Sequence, residues 1–272
     1  LPYVCLRRRE LIIMEVHIKV DLNSDLGESF GLYKIGSDEE IIRTVTSVNI
    51  ACGIHAGDPM VMDKTIKMCM EHGTAVGAHP GFPDLQGFGR RQMQMKKGEL
   101  KNYILYQLGA LDAFARLHGT RLQHVKPHGA LNNMLPYSEQ YSREICEAIL
   151  AFDPELILVA PTNTMTLQMA RDMGLRTVSE VFADRAYQDD GYLLSRSCPE
   201  AVLTDEDEAI KRVIRMIKNK TVISVTGKEI PIQADSVCIH SDSAIALNYA
   251  KKVRKALEAE GIVLCSMKEM LG

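Results

Sequence analysis

The chain has 272 residues, of which 46% are hydrophobic and 25% are charged, and its formal net charge is −3. This is the composition of a soluble globular protein, and without an excess of basic residues no nucleic acid is expected as a partner. No apolar run reaches the roughly 18 residues that predict a membrane span, so no membrane association is expected. The seven cysteines form no C-x-x-C pair, which argues against a disulfide framework and a structural zinc site and favours a cytoplasmic location.

Residues 1–13 stand apart from the pattern of the rest of the chain. They contain three arginines at 7–9 and a short apolar piece at 11–13, which is too short for the apolar core of a secretory signal peptide. Because Met14 stands just before the first predicted strand, we predict that residues 1–13 are an upstream extension, with an arginine-rich leader as the alternative. Residues 14–272 are then expected to form a single domain.

Runs of β-branched and apolar residues alternate with helical patterns along the rest of the chain. Strands are predicted at 16–20, 47–51, 74–78, 122–125, 156–160, 176–182 and 236–239. Two short apolar runs within residues 221–233 flank a polar turn and predict a small hairpin insertion. About seven strand–helix repeats predict an α/β fold with a parallel sheet, either closed as a barrel or open and doubly wound.

Polar residues recur where the first strand continues. Because side chains alternate along a strand, Asp21, Asn23 and Asp25 would point to one side. Carboxylates packed together are unfavourable in a hydrophobic core, so this pattern is typical of a group that holds a cation, binds a phosphate with its metal, or moves a proton. The alternative is a strand end that runs into a turn, where Asp and Asn bond to nearby backbone.

Histidines and carboxylates follow the next strands at their C-terminal ends, where parallel α/β folds place ligands. His55 and Asp58 follow the second strand, and His79 ends the third. Such a set suits a divalent metal or acid–base catalysis without a metal. Asp58 is also explained by a helix N-cap before Pro59. The spacing matches no zinc motif, so spacing alone does not predict a metal.

Cationic side chains follow the third, fourth and sixth strands. Lys126 and His128 lie together after the fourth strand and can hold an anionic intermediate or a phosphate. The alternative for this pair is a solvated lysine and a capping histidine. Arg90 and Arg185 can each clamp a carboxylate with two hydrogen bonds, although each taken singly also fits a surface ion pair.

Several of these stretches resemble the signatures of the LamB/YcsF family. The resemblance runs from about Met14 to Cys265 and is carried by residues 21–28 (DLNSDLGE), 49–58 (NIACGIHAGD), 77–80 (GAHP) with 87–91 (GFGRR), 125–129 (VKPHG) and 180–185 (EVFADR). It implies a single (β/α) barrel that is seven-stranded and incomplete, similar to the glycoside hydrolase/deacetylase superfamily.

The resemblance also implies an activity. It is that of the A subunit of an ATP-dependent 5-oxoprolinase, which hydrolyses 5-oxo-L-proline to L-glutamate with B and C subunits as partners and ATP as co-substrate. The chain has no Gly-rich nucleotide motif, so the sequence leaves open whether ATP binds to this chain or to a partner. An unstrained lactam is a poor electrophile, so the site needs a base for water, cations for the developing charge, and an anchor for the substrate carboxylate.

The expected site follows from these needs and from the matching motifs. We expect Asp25 or Asp21 as the base, Lys126 and His128 as charge stabilisers, and Arg90 or Arg185 as the anchor. The expected catalytic residues are Asp21, Asn23, Asp25, Lys126 and His128. The expected substrate-binding residues are Glu28, Asn49, His55, His79, Arg90, Asp184, Arg185 and His240. A divalent metal is left open, with His55, His79 and Asp25 as its ligands.

Two other classes of function stay open at this stage. The first is a metal-dependent amide or N-acyl hydrolase that acts alone, as a deacetylase-like barrel would. The second is a non-catalytic partner or carbohydrate-binding subunit. Carbohydrate sites usually depend on aromatic side chains, and this chain has no Trp, whereas ionisable groups follow strand after strand. The residues therefore favour an enzyme.

Overall fold

The computed structural model describes residues 17–195, 198–239 and 244–272. Its centre is a ring of seven parallel strands. In their order around the ring, these are β1 (Lys19–Leu26), β2 (Ser47–Ala51), β3 (Ala75–His79), β4 (His124–Val125), β5 (Ile157–Pro161), β6 (Arg176–Phe182) and β9 (Ser236–Cys238). Because β9 pairs with both β6 and β1, the ring is closed. The seven-stranded barrel is thus confirmed, one strand short of a complete (β/α) barrel, and the open sheet is excluded.

Within the described residues, three further short strands lie outside this ring. β7 (Thr221–Ile223) and β8 (Glu229–Pro231) form an antiparallel hairpin. β10 (Val263–Leu264) runs parallel to the first two residues of β1. The predicted extension at residues 1–13 lies outside the described residues.

Helices connect the strands, with bounds α1 (Asp38–Ile42), α2 (Pro59–His72), α3 (Glu99–Leu117), α4 (Gly129–Met134), α5 (Glu139–Phe152), α6 (Met165–Asp172), α7 (Glu206–Lys218), α8 (Ala244–Ala259) and α9 (Met267–Leu271). In the described part of the chain, single-turn 3₁₀ helices cover Leu135–Tyr137 and Pro199–Ala201. None of the helices among the described residues has the length and apolar character needed to cross a bilayer.

The second helix begins as its sequence predicts. The Asp58 side chain accepts a hydrogen bond from Val61 N at 2.9 Å, and Pro59 occupies the first helical position. The helix ends at Gly73, whose φ of 68° permits the left-handed C-cap. The other oxygen of Asp58 accepts from Gly31 N at 2.8 Å. Asp58 therefore fixes the loop after β1 against the start of α2, and these contacts account for the residue structurally.

The two faces of β1 differ in character, which determines where the site lies. Leu22 and Leu26 belong to the main hydrophobic core. Asp21 and Asn23 alternate with them and are also fully buried, so they face the barrel interior. The register aligns Asp21 with Ser236, and Ser236 with Glu180. The interior of this barrel is therefore lined with polar groups that need partners inside the ring.

Candidate active site

Lys126 is the centre of the polar interior. It is 2% exposed and directly follows β4. Its Nζ lies 2.8 Å from Asp25 Oδ1 and 2.8 Å from Glu180 Oε1. The same Nζ lies 3.3 Å from Asn23 Oδ1 and 3.1 Å from Cys238 Sγ. A buried ammonium group is tolerated only with such anionic and polar partners.

Two asparagines fix the carboxylates around this lysine. Asn49 Nδ2 donates to Asn23 Oδ1 at 2.7 Å and to Asp25 Oδ1 at 2.8 Å. Asn23 Nδ2 donates to Glu180 Oε1 at 3.0 Å. His124, which is fully buried, donates from Nε2 to Asn49 Oδ1 at 2.7 Å. Side chains from β1, β2, β4 and β6 thus form one connected network, which restricts the rotamers of its members.

Charge stabilises the ionised forms of Asp25 and Lys126. Burial alone would raise the pKa of Asp25, but the charges of His79 and Lys126 outweigh it and hold that pKa well below its ordinary value. Burial alone would lower the pKa of Lys126, but Asp25, Cys238 and Glu180 outweigh it and hold that pKa well above its ordinary value. The centre of the site therefore contains a fixed cation beside a fixed anion.

Asp21 is placed differently from Asp25, although both lie on β1. Asp21 is fully buried, whereas the Asp25 side chain is 21% exposed. Three hydroxyl groups donate to the Asp21 carboxyl, those of Thr46, Ser47 and Ser236. Burial raises the pKa of Asp21 to about 6 even though these hydrogen bonds lower it. Asp21 is therefore enclosed by the fold, and Asp25 is the aspartate that a ligand can reach.

Four side chains from the C-terminal ends of β1, β2, β3 and β4 converge beside Asp25. One potential donor atom from each of Glu28, His55, His79 and His128 lies within 4.8 Å of the others, and all four residues are buried. His79 Nε2 is 2.9 Å from His128 Nδ1 and 3.4 Å from Asp25 Oδ2. The His55 and His128 rings stack with centroids 3.8 Å apart and planes 7° from parallel.

Burial keeps two of these histidines neutral. Burial, reinforced by the charges of His128 and His79, lowers the pKa of His55 well below its ordinary value. Burial and the charge of His79 lower the pKa of His128 to about 3. A neutral imidazole has one lone pair in the ring plane, which can accept a proton or bind a cation.

A loop after β3 covers this cluster. Gly89 has a φ of 63°, and a Cβ at this position would lie 2.8 Å from both His128 Cδ2 and His55 Cβ. Only glycine allows the backbone to pass so close to the two rings in this conformation. The next residue, Arg90, is exposed and its guanidinium lies 5.1 Å from the Phe88 ring centroid. Arg90 also lies close enough for its charge to act on His55 and His128.

The structure brings most of the predicted site residues together and separates a few. Arg185 donates to Leu194 O at 2.6 Å and to Ala201 O at 3.2 Å, so its guanidinium supports a loop. The charge of Asp184 acts on Arg212 and Tyr249, which belong to α7 and α8. His240 lies outside the described residues. The residues that converge are Asp21, Asn23, Asp25, Glu28, Asn49, His55, His79, Lys126 and His128.

Sequence reasoning missed three members of the network, namely Glu180, His124 and Cys238. Glu180 lies within β6 between Ser179 and Val181, and all three are buried. A carboxylate in the interior of a predicted strand is the signal that could have identified it, because a buried charge needs a partner. His124 likewise opens the short strand β4. Cys238 carries no comparable signal in the sequence.

Comparison with known proteins agrees with the family that the sequence motifs predict. The family model described as LamB/YcsF matches residues 20–272. A Campylobacter jejuni protein that bears the name of the A subunit of 5-oxoprolinase is 53% identical over 253 residues, which cover 93% of this chain and 99% of the relative. The crystal structure of a lactam utilization protein from Thermus thermophilus superposes with a TM-score of 0.87 at 45% identity, covering 91% of this chain and 99% of the other.

A more distant likeness concerns the fold alone. A CE4-family pseudoenzyme with restored enzymatic activity superposes with a TM-score of 0.50 at 12% identity, covering 94% of this chain and 68% of the other. This agrees with the expected similarity to the deacetylase fold. Because the LamB/YcsF match covers almost the whole chain and close relatives match over their full length, the chain belongs to the LamB/YcsF family.

Proposed function

We propose that this chain is the A subunit of a 5-oxoprolinase, which hydrolyses 5-oxo-L-proline to L-glutamate with hydrolysis of ATP. The observation that carries the proposal is the buried Lys126 between Asp25 and Glu180 at the mouth of a barrel, in a chain 53% identical to a relative that bears this name. A fixed cation beside a fixed carboxylate is what hydrolysis of a poorly electrophilic amide requires.

The reaction balances with ATP and water as the co-reactants of the lactam. Transfer of the γ-phosphoryl group to the lactam oxygen gives ADP and converts that oxygen into part of a leaving group. Water then adds to the ring carbonyl carbon, the ring C–N bond breaks, and the nitrogen takes up a proton. A second water releases phosphate from the resulting acyl phosphate, which leaves L-glutamate.

We propose a role for each residue in this scheme, and the geometry of the site supports it. Lys126 stabilises the charge that develops on the lactam oxygen. As the lysine turns towards that charge, Asp25 loses part of the field that lowers its pKa and becomes a better base for water. Asp25 is preferred to Asp21 because Asp21 is enclosed and accepts three hydroxyl hydrogen bonds. Asn23 and Asn49 hold the carboxylates in place.

The substrate carboxylate needs a cation at the rim of the site. Arg90 is exposed beside the histidine cluster, whereas Arg185 is buried and donates to two backbone carbonyls of a loop. We therefore assign the carboxylate anchor to Arg90, since a guanidinium can bind a carboxylate with two parallel hydrogen bonds. ATP binding is assigned to the B and C subunits, because this chain has no Gly-rich nucleotide motif.

The test is the release of glutamate from 5-oxoproline and ATP, measured with this chain alone, with the B and C subunits alone, and with all three. We expect release only from the complete mixture. Release by B and C alone at the same rate, or no release from any mixture of folded subunits, would contradict the proposal. The location of ATP is tested separately by nucleotide binding to each of the isolated subunits.

A second function is favoured by one specific observation, the buried group of Glu28, His55, His79 and His128. Such a group is compatible with an amide or N-acyl hydrolase that works alone and without ATP. The two functions differ in one simple measurement. Hydrolysis of N-acetylated amines or sugars by the isolated chain without ATP would support the second function and contradict the first.

A further inference from the structure

At the mouth of the barrel, backbone carbonyl oxygens determine which ring nitrogen carries the proton in two histidines. His79 Nδ1 lies 2.7 Å from Lys126 O, and His128 Nε2 lies 2.8 Å from Phe88 O. A carbonyl oxygen can only accept, so each of these ring nitrogens carries a proton. When both rings are neutral, as metal-binding histidines are, the remaining nitrogens, His79 Nε2 and His128 Nδ1, are bare acceptors.

These two acceptors face each other at 2.9 Å. Two lone pairs at that distance repel unless a positive charge lies between or beside them, which means a shared proton or a metal ion. A carbonyl that accepts from the far nitrogen is also the arrangement that orients metal-binding histidines in proteins. The two backbone contacts therefore prepare both rings for a cation.

His55 supplies the independent observation that favours a metal. It is fully buried, and neither of its ring nitrogens has a hydrogen-bond partner among the described residues. An unsatisfied buried polar group of this kind is unfavourable, and a shared proton between His79 and His128 would leave His55 without a partner. A metal ion bound by one nitrogen of His55 would give that atom a partner.

The carboxylate of Glu28 completes the set. Its Oε1 lies 3.6 Å from His128 Nδ1 and 4.0 Å from His55 Nε2. Two ligands held tetrahedrally at about 2.1 Å from one zinc ion lie roughly 3.4 Å apart. The spacings in the cluster lie on both sides of that value, and side-chain movements that include rotation of the stacked His55 and His128 rings would bring all four donors to one ion.

We propose that Glu28, His55, His79 and His128 bind one divalent transition-metal ion. Three imidazoles and one carboxylate suit zinc, cobalt and their first-row neighbours, whereas magnesium and calcium prefer oxygen ligands. The donors come from four strand ends, which explains why no zinc motif is present in the sequence. Metal binding does not depend on the proposed substrate.

The test uses the full chain after treatment with a chelator and desalting. Zinc is added back and bound metal per chain is measured by elemental analysis, with affinity from competition against a chromophoric chelator. We expect one zinc ion per chain and no comparable binding of magnesium. Cobalt should give the intense visible absorption of a four- or five-coordinate site. Failure to bind stoichiometric zinc, or a weak six-coordinate cobalt spectrum, would overturn the proposal.

Variants locate the ion. His55→Gln and His128→Gln each remove one ligand. Changing a residue that only orients a metal ligand lowers metal affinity by about 10- to 100-fold, so we expect loss of a ligand itself to lower zinc affinity by about 100-fold or more. The matched control is His118→Gln, because His118 pairs with Asp63 at 2.8 Å on the protein surface. Its affinity should stay within about 2-fold of wild type.

Binding that is unchanged in both site variants, or that is lost in the control, would overturn the proposal. If the site variants fail to fold, Gly81→Ala replaces them. A Cβ at Gly81 would lie 2.6 Å from His55 Nδ1, so this variant keeps every ligand but displaces one. We expect its zinc affinity to fall by about 10-fold or more, as it does when a residue that orients a metal ligand is changed. Unchanged affinity in this variant would also count against the proposal.

Discussion

Lys126 and Glu180 form an ion pair of 2.8 Å inside the barrel, although β5 separates their strands. Both side chains reach across the interior, and they are 2% and 0% exposed. Glu180 Oε2 has no hydrogen-bond partner among the described residues. The pair is therefore a costly element of the fold, and hydrophobic residues of similar volume are often as stable at such positions. Its retention is explained if the lysine is needed for chemistry.

The first prediction concerns the coupling of this pair. Lys126→Met leaves Asp25 and Glu180 close together without their cation, and we expect a loss of about 3–5 kcal/mol in the free energy of unfolding. Lys126→Met combined with Glu180→Gln should cost less than the sum of the single changes, by about 0.5–3 kcal/mol. Urea denaturation of the four proteins measures this difference.

A surface pair of the same length provides the control. Arg215 and Glu229 also lie 2.8 Å apart, but their side chains are 37% and 56% exposed. The same cycle with Arg215→Met and Glu229→Gln should give a coupling of about 0.2–1 kcal/mol. Equal coupling in the two cycles would show that burial does not strengthen the Lys126 pair.

The second prediction concerns the role of Asp25 in catalysis. Asp25→Asn keeps the shape of the side chain but removes its charge, so glutamate release by the complete mixture should fall by about 10²–10⁴-fold. Circular dichroism and thermal unfolding check that the chain stays folded. The control is Asp58→Asn, because Asn caps a helix about as well as Asp, and this variant should release glutamate at nearly the wild-type rate. Retained activity in folded Asp25→Asn would reject the assigned base.

The third prediction concerns the pH dependence of stability that Asp21 causes. The pKa of its carboxyl is about 6 in the folded chain and near its ordinary 3.8 in the unfolded chain. Between pH 3.8 and about pH 6 the folded chain binds more protons than the unfolded chain, so the free energy of unfolding falls as pH rises. The difference between the two pKa values corresponds to roughly 3 kcal/mol, reached above about pH 6.

The variant Asp21→Asn removes this dependence. Its free energy of unfolding relative to wild type should therefore increase by roughly 2.5 kcal/mol from pH 4 to pH 7, as measured by urea denaturation. Backbone N–H groups lower the pKa of Asp58, so its contribution changes only in more acidic solution. Asp58→Asn should thus differ from wild type by a constant amount over the same range. A constant difference for Asp21→Asn as well would contradict the burial argument.

The sequence allowed the framework of the site to be predicted, because local patterns encode it. Alternation along β1 placed Asp21, Asn23 and Asp25 on one side, and the parallel strand ends predicted that Lys126 would lie near them. The side-chain contacts confirm both. The cap at Asp58 was also readable, since it depends on neighbouring residues only.

Other features depend on closure of the ring, which no local pattern encodes. Glu180 meets Lys126 only because β4 and β6 curve towards each other across the interior. The four potential metal ligands come from four strand ends, so their convergence cannot be seen as a spacing. The fourth strand is shorter than its predicted span of 122–125, because only His124 and Val125 pair with both neighbours and Pro127 has no N–H to continue the ladder.

The last prediction concerns the glycine opposite His124. A Cβ at Gly77 would lie 2.1 Å from His124 Nε2, the atom that donates to Asn49. Gly77→Ala therefore displaces the ring and breaks that hydrogen bond, and we expect a loss of about 1–3 kcal/mol in the free energy of unfolding. The matched control is Gly109→Ala. Apart from its chain neighbours and the backbone of its own helix, no atom of the described residues lies within 4 Å of the added Cβ in α3, so this change should stabilise the chain by about 0.5–1 kcal/mol.

The mechanism of the Gly77 effect is tested by a second change. If the His124 ring causes the clash, Gly77→Ala combined with His124→Ala should cost less than the sum of the two single changes, by about 0.5–3 kcal/mol. Asn49 holds Asp25 at 2.8 Å, so Gly77→Ala should also reduce glutamate release by the complete mixture. An additive pair with unchanged release would mean that His124 does not transmit strain from β3 to the carboxylate.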